Sequence, residues 1–348
     1  MHDLLVAGGG PSGLATAIEA ASRGFRVALV EPKPGTIDKA CGEGLMPGAW
    51  RDLQALGVDI PRSHRFEGIT YVRDQQAASG RFASGAGRGV RRLVLHDALR
   101  ARADALGVDR MEGRVTDVVQ DDRSVTAAGV QARWLVAADG LRSPIRRTLG
   151  LDRPSRWPKR YGIRRHFAVK PWSDHVEVHW ADDAEAYVTP VDDELVGIAF
   201  LFGDTARAAD AGKPGRPFDR MLDRFPALRE RLSNPASQAR GAGPFAHASS
   251  QRVAGRVLLV GYAAGYLDPI TGEGIKLGLR GARAAVDAIV AGRPVAYEKA
   301  WRKHYRTYLL ATGGLLVATR WRWTRKLVLP VVRGVPGLMP AILATLAE

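Results

Sequence analysis

From Leu4 to Glu31 the chain reads LLVAGGGPSGLATAIEAASRGFRVALVE. An apolar run leads into Gly8-x-Gly10-x-x-Gly13, then into an alanine-rich stretch of helical character, then into a second apolar run ending on an acid. No other segment constrains the fold as tightly, because each part has a task in holding a dinucleotide. Gly8 allows the sharp turn off the first strand, Gly10 lets a pyrophosphate approach the backbone, and Gly13 lets helix and strand pack closely. Pro11 and Ser12 complete that turn, and the helix start offers free N–H groups and partial positive charge to phosphate. Glu31 is spaced to accept hydrogen bonds from a ribose diol. The spacing therefore predicts a βαβ dinucleotide-binding start.

A chain of 348 residues can bury one large core or two coupled ones. The single cysteine, Cys41, excludes an internal disulfide and a multi-cysteine zinc site. It fits a reducing compartment, so a cytoplasmic location is expected. The first apolar run is too short for a signal peptide and is already spent as a strand. The formal charge is +15. No recognition motif or basic tract alternating with aromatics accompanies it, so no nucleic-acid partner is expected. The charge suits anionic cofactors, anionic substrates or acidic headgroups, or simply a solvated, arginine-rich surface.

The expected fold class is α/β: a doubly wound Rossmann-like domain interleaved with an antiparallel β-sheet domain and a helical C-terminal region. The nucleotide domain is assigned to 1–65, 90–155 and 250–295. The sheet domain takes 66–89 and 156–249, and a helical cap takes 296–348. Phe66–Gly89 reads as irregular chain or short strands. Leu93–Leu106 has helical spacing. Strands are expected near Arg110–Gln120, Ser124–Ala128 and Trp134–Ala138. RYGIRRHFAV, HVEVHW, EAYVTPV and ELVGIAFLF read as further strands. Pro217–Leu232 is expected to be one helix. Arg256–Val260 is a late buried strand, followed by a helix from Gly274 to Ala291.

Two more segments, ADGLRSPIR from Ala138 and GYAAGYLDPITGEGI from Gly261, join the opening fingerprint. Together the three blocks resemble those of FAD-dependent oxidoreductases of the aromatic hydroxylase (p-hydroxybenzoate hydroxylase-like) and geranylgeranyl reductase superfamily. The resemblance implies that Gly8, Gly10 and Gly13 hold the FAD pyrophosphate and Glu31 the adenosine ribose. It implies that Arg92 contacts the flavin side and that the backbone of Val115 meets the adenine. It places Asp139 and Gly140 where FAD and nicotinamide functions join, and Pro269 to Ile275, with Gly272 and Gly274, beside the isoalloxazine ring. A helix starting near Gly274 would direct its positive end at the reduced ring. The family has aspartate, bonding the ribityl chain, where this chain has Tyr262. That leaves open a weakly held cofactor, a shifted ribityl chain or a protein without flavin.

DKACGEGLMP, from Asp38, resembles a block lying over the flavin in geranylgeranyl reductase-like members, which puts Cys41 and Gly42 near the ring or the substrate. The candidate catalytic residues are Cys41, Tyr187 and Pro269. Tyr187 is as readily core packing as a substrate contact. His175 and His179, four apart on one strand, and His247, near the late strand, have no trustworthy metal pattern, and no metal is expected. No second GxGxxG is present, so NADH or NADPH would act as a transient donor. The apolar, basic, aromatic tail from Tyr308 is interrupted by Arg320, Arg322, Arg325 and Lys326 before it could span a bilayer. It reads as a cap closing a greasy pocket, with peripheral contact at the inner face of the membrane as the alternative. Both imply a lipophilic small-molecule substrate. The first functional expectation is a monooxygenase hydroxylating a lipophilic aromatic or polyketide-like molecule. The alternative is a reductase of isoprenoid C=C bonds, and the third a non-redox cyclase or binding protein.

Overall fold

The computed structural model describes residues 1–209 and 215–347. Its first sheet has the strand order Val253–Ala254, Val257–Leu259, Val130–Ala137, His2–Ala7, Val27–Glu31 and Asp109–Glu112. All pairings from Val257–Leu259 to Asp109–Glu112 are parallel. Leu4, Val6, Leu29, Val136 and Leu258 face the helices Pro11–Ala21, Arg92–Ala105 and Gly274–Val290. Leu5, Ala7, Val30, Leu135 and Leu259 face the opposite side, over Val125, Ile145 and Leu151. Burial on both faces explains why these strands read as unbroken apolar runs rather than as alternations. The expected strand near Arg110–Gln120 is two strands, Asp109–Glu112 and Val118–Gln120. The second of these belongs to a meander with Val125–Ala127.

The second sheet has the order Arg240–Ala242, Arg160–Phe167, Leu195–Gly203, Ala184–Asp192, His175–Trp180, Gly68–Arg73 and Gln76–Arg81. It departs from the antiparallel expectation at one place: His175–Trp180 and Gly68–Arg73 run parallel. The glycine- and alanine-rich segment thus supplies the sheet's last two strands. A Cβ on Gly80 would stand 2.5 Å from Leu343 and 2.9 Å from Met339, so a bare backbone is needed where the last helix, Leu338–Ala347, lies on the sheet.

One sheet face packs through Phe200 onto Phe218 and Phe225. The expected single helix there is two, Pro217–Leu222 and Pro226–Arg231. Pro226 disfavours helical backbone at the preceding residue, and Phe225 stands at φ −128°, ψ 72°. The other face packs through Ile69, Val176, Val178 and Trp180 onto Met339, Leu343 and Leu346. Helices Ala296–Ala318 and Arg322–Gly334 complete that cover. Among the described residues no single helix is long and apolar enough to cross a membrane. One pair bent by 102°, Trp323–Gly334 with Leu338–Ala347, passes the test of length and composition together.

Candidate cofactor and substrate site

The opening turn is built by exclusion of side chains. Gly8 adopts φ +105°, and a Cβ there would stand 2.6 Å from the Ala138 carbonyl oxygen. A Cβ on Gly13 would overlap the Gly8 carbonyl itself. Gly10 is different: nothing lies within 4 Å of where its Cβ would be. It caps helix Pro11–Ala21 without any side-chain bond, and Pro11 takes the first helical position, where a missing N–H costs nothing. The helix therefore presents its first N–H groups to open space, as an anion site requires. Ser12 faces the other way. Its side chain is wedged between Gly261 and Gly278, so it joins this helix to Gly274–Val290 rather than facing the opening.

Glu31 stands at the end of its strand. Its carboxylate accepts the Gly9 N–H at 2.7 Å and the Lys33 N–H at 3.1 Å. About four acceptor sites on a carboxylate leave room for a diol as well. Beside it lies a pocket of about 230 Å³ lined by Glu31, Lys33, His96, Arg100, Arg110 and Met111 among others. Val115 does not line this pocket; its side chain is buried in the core under the sheet. His96 is a residue that the sequence patterns missed. Its Nδ1 accepts the Ile37 N–H at 3.4 Å, so Nε2–H donates to the Gly9 carbonyl at 2.9 Å. Burial holds its pKa below the usual histidine range.

Asp139 is half-satisfied. One carboxylate oxygen accepts the Ile145 N–H at 3.2 Å, the other has no partner, and burial raises the pKa. Gly140, next to it, adopts φ +89° with nothing within 4 Å of a Cβ position. Behind them the buried Arg146 donates to the carbonyls of Leu141 and Ala263, at 2.9 and 3.1 Å, and to Asp152 at 2.6 Å. It thereby ties this loop to the late turn.

At the other end Cys41 lies within electrostatic reach of Arg92. Thr189 Oγ1 donates to the Gly42 carbonyl at 2.8 Å, so the sheet holds the loop from behind. The residue that organises this end is Glu43, which sequence reasoning passed over. It sits at φ +60°, and its carboxylate accepts the Arg92 N–H at 2.7 Å. It thus caps helix Arg92–Ala105, whose own N-cap residue makes no side-chain bond. The other carboxylate oxygen meets His166 Nε2 at 2.6 Å. Arg164 contacts His166 Nδ1 at 3.2 Å and Asp38 at 2.5 Å. A guanidinium only donates, so Nδ1 accepts and Nε2–H points at Glu43. Arg92 keeps a buried Nε without a partner. Burial pushes the Cys41 thiol above its ordinary pKa.

The loop around Pro269, expected beside the ring, is held by three side chains, one from the sheet and two from helix Ala296–Ala318. Tyr187 donates its hydroxyl to the Ile270 carbonyl at 3.0 Å. Tyr308 accepts the Asp268 N–H and donates to the Asp268 carbonyl, both at 2.9 Å, and Thr312 meets Thr271 at 3.1 Å. A buried ion network lies beneath. Arg160 bridges Glu185 and Asp268, and Arg325 of the cap reaches Glu185 at 2.6 Å. Burial pushes the Asp268 pKa up to about 6. Pro269 opens the short turn Pro269–Thr271, Gly272 follows at φ +71°, and helix Gly274–Val290 begins without a side-chain cap. Ile275 packs against the first core.

Tyr262 folds back from the opening. Its ring stacks on Tyr266 with centroids 4.0 Å apart, and its hydroxyl occupies the place a Gly274 side chain would take. Gly274 is therefore bare to receive a tyrosine of this chain. Burial raises the Tyr262 pKa to about 12, so the phenol stays neutral. A Tyr262→Asp chain is expected to melt lower without FAD, since the stack contributes about 0.5–1.5 kcal/mol. It is expected to bind FAD more tightly, because a carboxylate near Arg92 supplies ribityl acceptors. Thermal melts with and without FAD check both.

Beyond this loop lies an apolar chamber of about 620 Å³, with Tyr71 and Trp180 on the sheet side and Leu310, Val328 and Ile342 on the cap side. Thr271 lines it too and belongs to the ring-side turn. His175, His179 and His247 have separate partners. His175 meets Thr70 at 3.0 Å, His179 meets Glu177 at 2.8 Å, and His247 meets the Pro244 carbonyl at 3.1 Å.

An uncapped helix start, the unpartnered atoms of Asp139 and Arg92, and the pocket beside Glu31 fit FAD. Models of the FAD binding domain match residues 97–292 and 3–154. The menaquinone reductase of Mycolicibacterium smegmatis is 30% identical over 99% of this chain and 90% of its own length. The chloroplastic geranylgeranyl diphosphate reductase of Oryza sativa subsp. japonica is 28% identical over 87% of this chain and 70% of its own. Among solved structures, a flavoprotein/dehydrogenase from Cytophaga hutchinsonii superposes with a TM-score of 0.87 at 22% identity, covering 99% of this chain and 92% of that one. A flavin-dependent brominase does so with 0.83 at 19%, covering 99% and 93%. The same backbone thus carries different chemistries. The chain is an FAD-binding oxidoreductase and belongs to the p-hydroxybenzoate hydroxylase-like and geranylgeranyl reductase flavin superfamily.

Proposed function

We propose that this oxidoreductase saturates a C=C bond in an isoprenoid chain, the second of the three readings that the sequence suggests. The observation that carries this is the chemical character of the chamber. Its lining has no charged side chain, and its polar groups are Tyr71, the Trp180 indole and three threonines. A hydroxylase acting on a phenolic ring gains from a base that activates the phenol, and burial pushes the Tyr71 pKa to about 12, out of reach of that role. A hydrocarbon chain needs no such partner. The reductases quoted above support the same reading.

Bound FAD would supply hydride when reduced, with NADH or NADPH as the transient donor. Gly8, Gly10, Gly13 and the N-terminus of Pro11–Ala21 would hold its pyrophosphate, Glu31 its ribose, and Arg92 the region toward the ring. The Pro269–Thr271 turn, pinned by Tyr187, Tyr308 and Thr312, would orient the ring against the chamber. Cys41 Sγ, kept protonated by burial, is the candidate proton holder. The cap supplies the apolar wall of the chamber opposite the sheet.

The test is an anaerobic incubation of reduced, FAD-loaded protein with a polyprenyl quinone, followed by mass spectrometry. After the quinone ring has been reoxidised in air, the expected product retains two added hydrogens, located by fragmentation in its isoprenoid side chain. A product that appears only with oxygen and gains an oxygen atom overturns the proposal in favour of hydroxylation.

A further inference from the structure

Between Glu298 and Glu348 the chain has no aspartate or glutamate, yet it has nine lysines and arginines. The structure sorts this stretch by face. Along helix Arg322–Gly334, Arg325 and Leu329 are buried against the body of the protein, while Trp323, Leu327 and Val331 are 65%, 53% and 50% exposed. Leu310 and Val317, on helix Ala296–Ala318, extend the apolar surface at 68% and 50% exposure. Arg320, Lys326 and Arg333 are exposed on this segment too. Trp321 and Trp323 stand with ring centroids 6.5 Å apart, and the Arg320 guanidinium lies 5.3 Å over Trp321. Large exposed apolar residues rimmed by cations mark a surface that is covered in use.

The same residues lead inward. Leu310, Leu327 and Val331 are both exposed and part of the chamber lining. The chamber therefore opens onto the basic, apolar face itself, between two cap helices.

We infer that this face docks on the anionic surface of a lipid bilayer and that the chamber receives its substrate directly from the hydrocarbon. The role of the chamber rests on the function proposed above; the docking does not. Indole rings beside cations suit headgroup depth, and apolar side chains suit the acyl boundary just below it. Charge separates this occupant from a second copy of the chain. Two such faces would oppose cation to cation with no acid to pair them, whereas an anionic leaflet is attracted by every one of them.

The test is sedimentation with vesicles of phosphatidylcholine alone or mixed with phosphatidylglycerol, using the full chain with FAD. The chain is expected to pellet with the mixed vesicles, to do so less as salt rises, and to show blue-shifted tryptophan emission when bound. At about fivefold for each cation near the surface, Lys326→Glu with Arg333→Glu should weaken partitioning by at least about 25-fold. Trp323→Ala should weaken it too and diminish the emission shift. These residues are exposed and do not line the chamber, so FAD binding and turnover of a detergent-dispersed substrate should persist. A wild-type chain left in the supernatant, variants that pellet like wild type, or a dimer in ultracentrifugation that Trp323→Glu dissolves would each overturn the inference. Docking without C=C reduction would discard only the proposed function; reduction in detergent without docking would discard only this inference.

Discussion

A Gly13→Ala chain is expected to purify without flavin and with a lowered melting temperature. The added methyl would overlap the Gly8 carbonyl, which is rigid backbone at φ +105° and cannot yield as a side-chain tip could. The helix must then lift from the strand, at about 3 kcal/mol or more, the upper part of the range for overpacking. The same lift moves the N–H groups that a pyrophosphate would meet, so FAD affinity should fall at least about a hundredfold, some 2.7 kcal/mol. Gly10→Ala separates the two effects. Nothing lies within 4 Å of its Cβ position, so its melting temperature should barely move while FAD binding still fails. Flavin absorbance after purification and thermal melts of both variants are the measurements. Equal losses of stability would mean that the two glycines do not have the separate jobs argued above.

The second large effect is expected at Arg160. Its guanidinium lies between two buried carboxylates, those of Glu185 and Asp268. Arg160→Met leaves Glu185 with Arg325 and leaves Asp268 without a cation. Stranding a buried charge costs about 3–5 kcal/mol. The loss depends on pH. Asp268 titrates at about 6 in the folded protein, against 3.8 for an ordinary aspartate, because burial outweighs the attraction of Arg160. The native state therefore binds the extra proton, and this group's contribution to stability declines as pH rises through that window. Removing the guanidinium raises the folded pKa further. The variant should lie nearest to wild type at low pH and fall furthest behind above about pH 6. Melting temperatures of both chains across that range check it, and Arg160→Lys should recover part of the loss.

The βαβ geometry of the opening turn was legible in the sequence because its demands are local. A turn of glycines, a helix start and an acid at the end of the next strand all lie within the first 31 residues. The central strands of both sheets were legible for similar reasons, through apolar runs or alternation, whereas Gly68–Arg73 and Gln76–Arg81 lay in a segment that read as irregular chain or short strands, and Arg240–Ala242 and Val253–Ala254 gave no signal. What stayed hidden is non-local. Nothing in CGEGL announces that Glu43 caps a helix beginning at Arg92, or that His166 and Arg164, on a strand of the other sheet, fix its carboxylate. Glu185, Arg160, Asp268 and Arg325 come from four separate parts of the chain and form no motif. Tyr262 was recognisable as a departure, but its outcome was not, since that required knowing that Tyr266 would stack on it and Gly274 would make room. The proline at 226 did carry its signal, and the expected single helix ignored it.

The late strand Val257–Leu259 pairs with Val130–Ala137, so the nucleotide sheet is closed by residues synthesised more than a hundred positions after their partners. While the chain is being made, the opening βαβ unit emerges early but lacks this strand, the Ser12 socket at Gly261 and Gly278, and the whole ring-side turn. Those pieces leave the ribosome only after the second sheet has been translated. At about 5–20 residues per second, that is a wait of several seconds with apolar strand surface uncovered. The second sheet must therefore form on a partner that is still incomplete, and the opening turn and the loop at Pro269 come together in one site only near the end of synthesis.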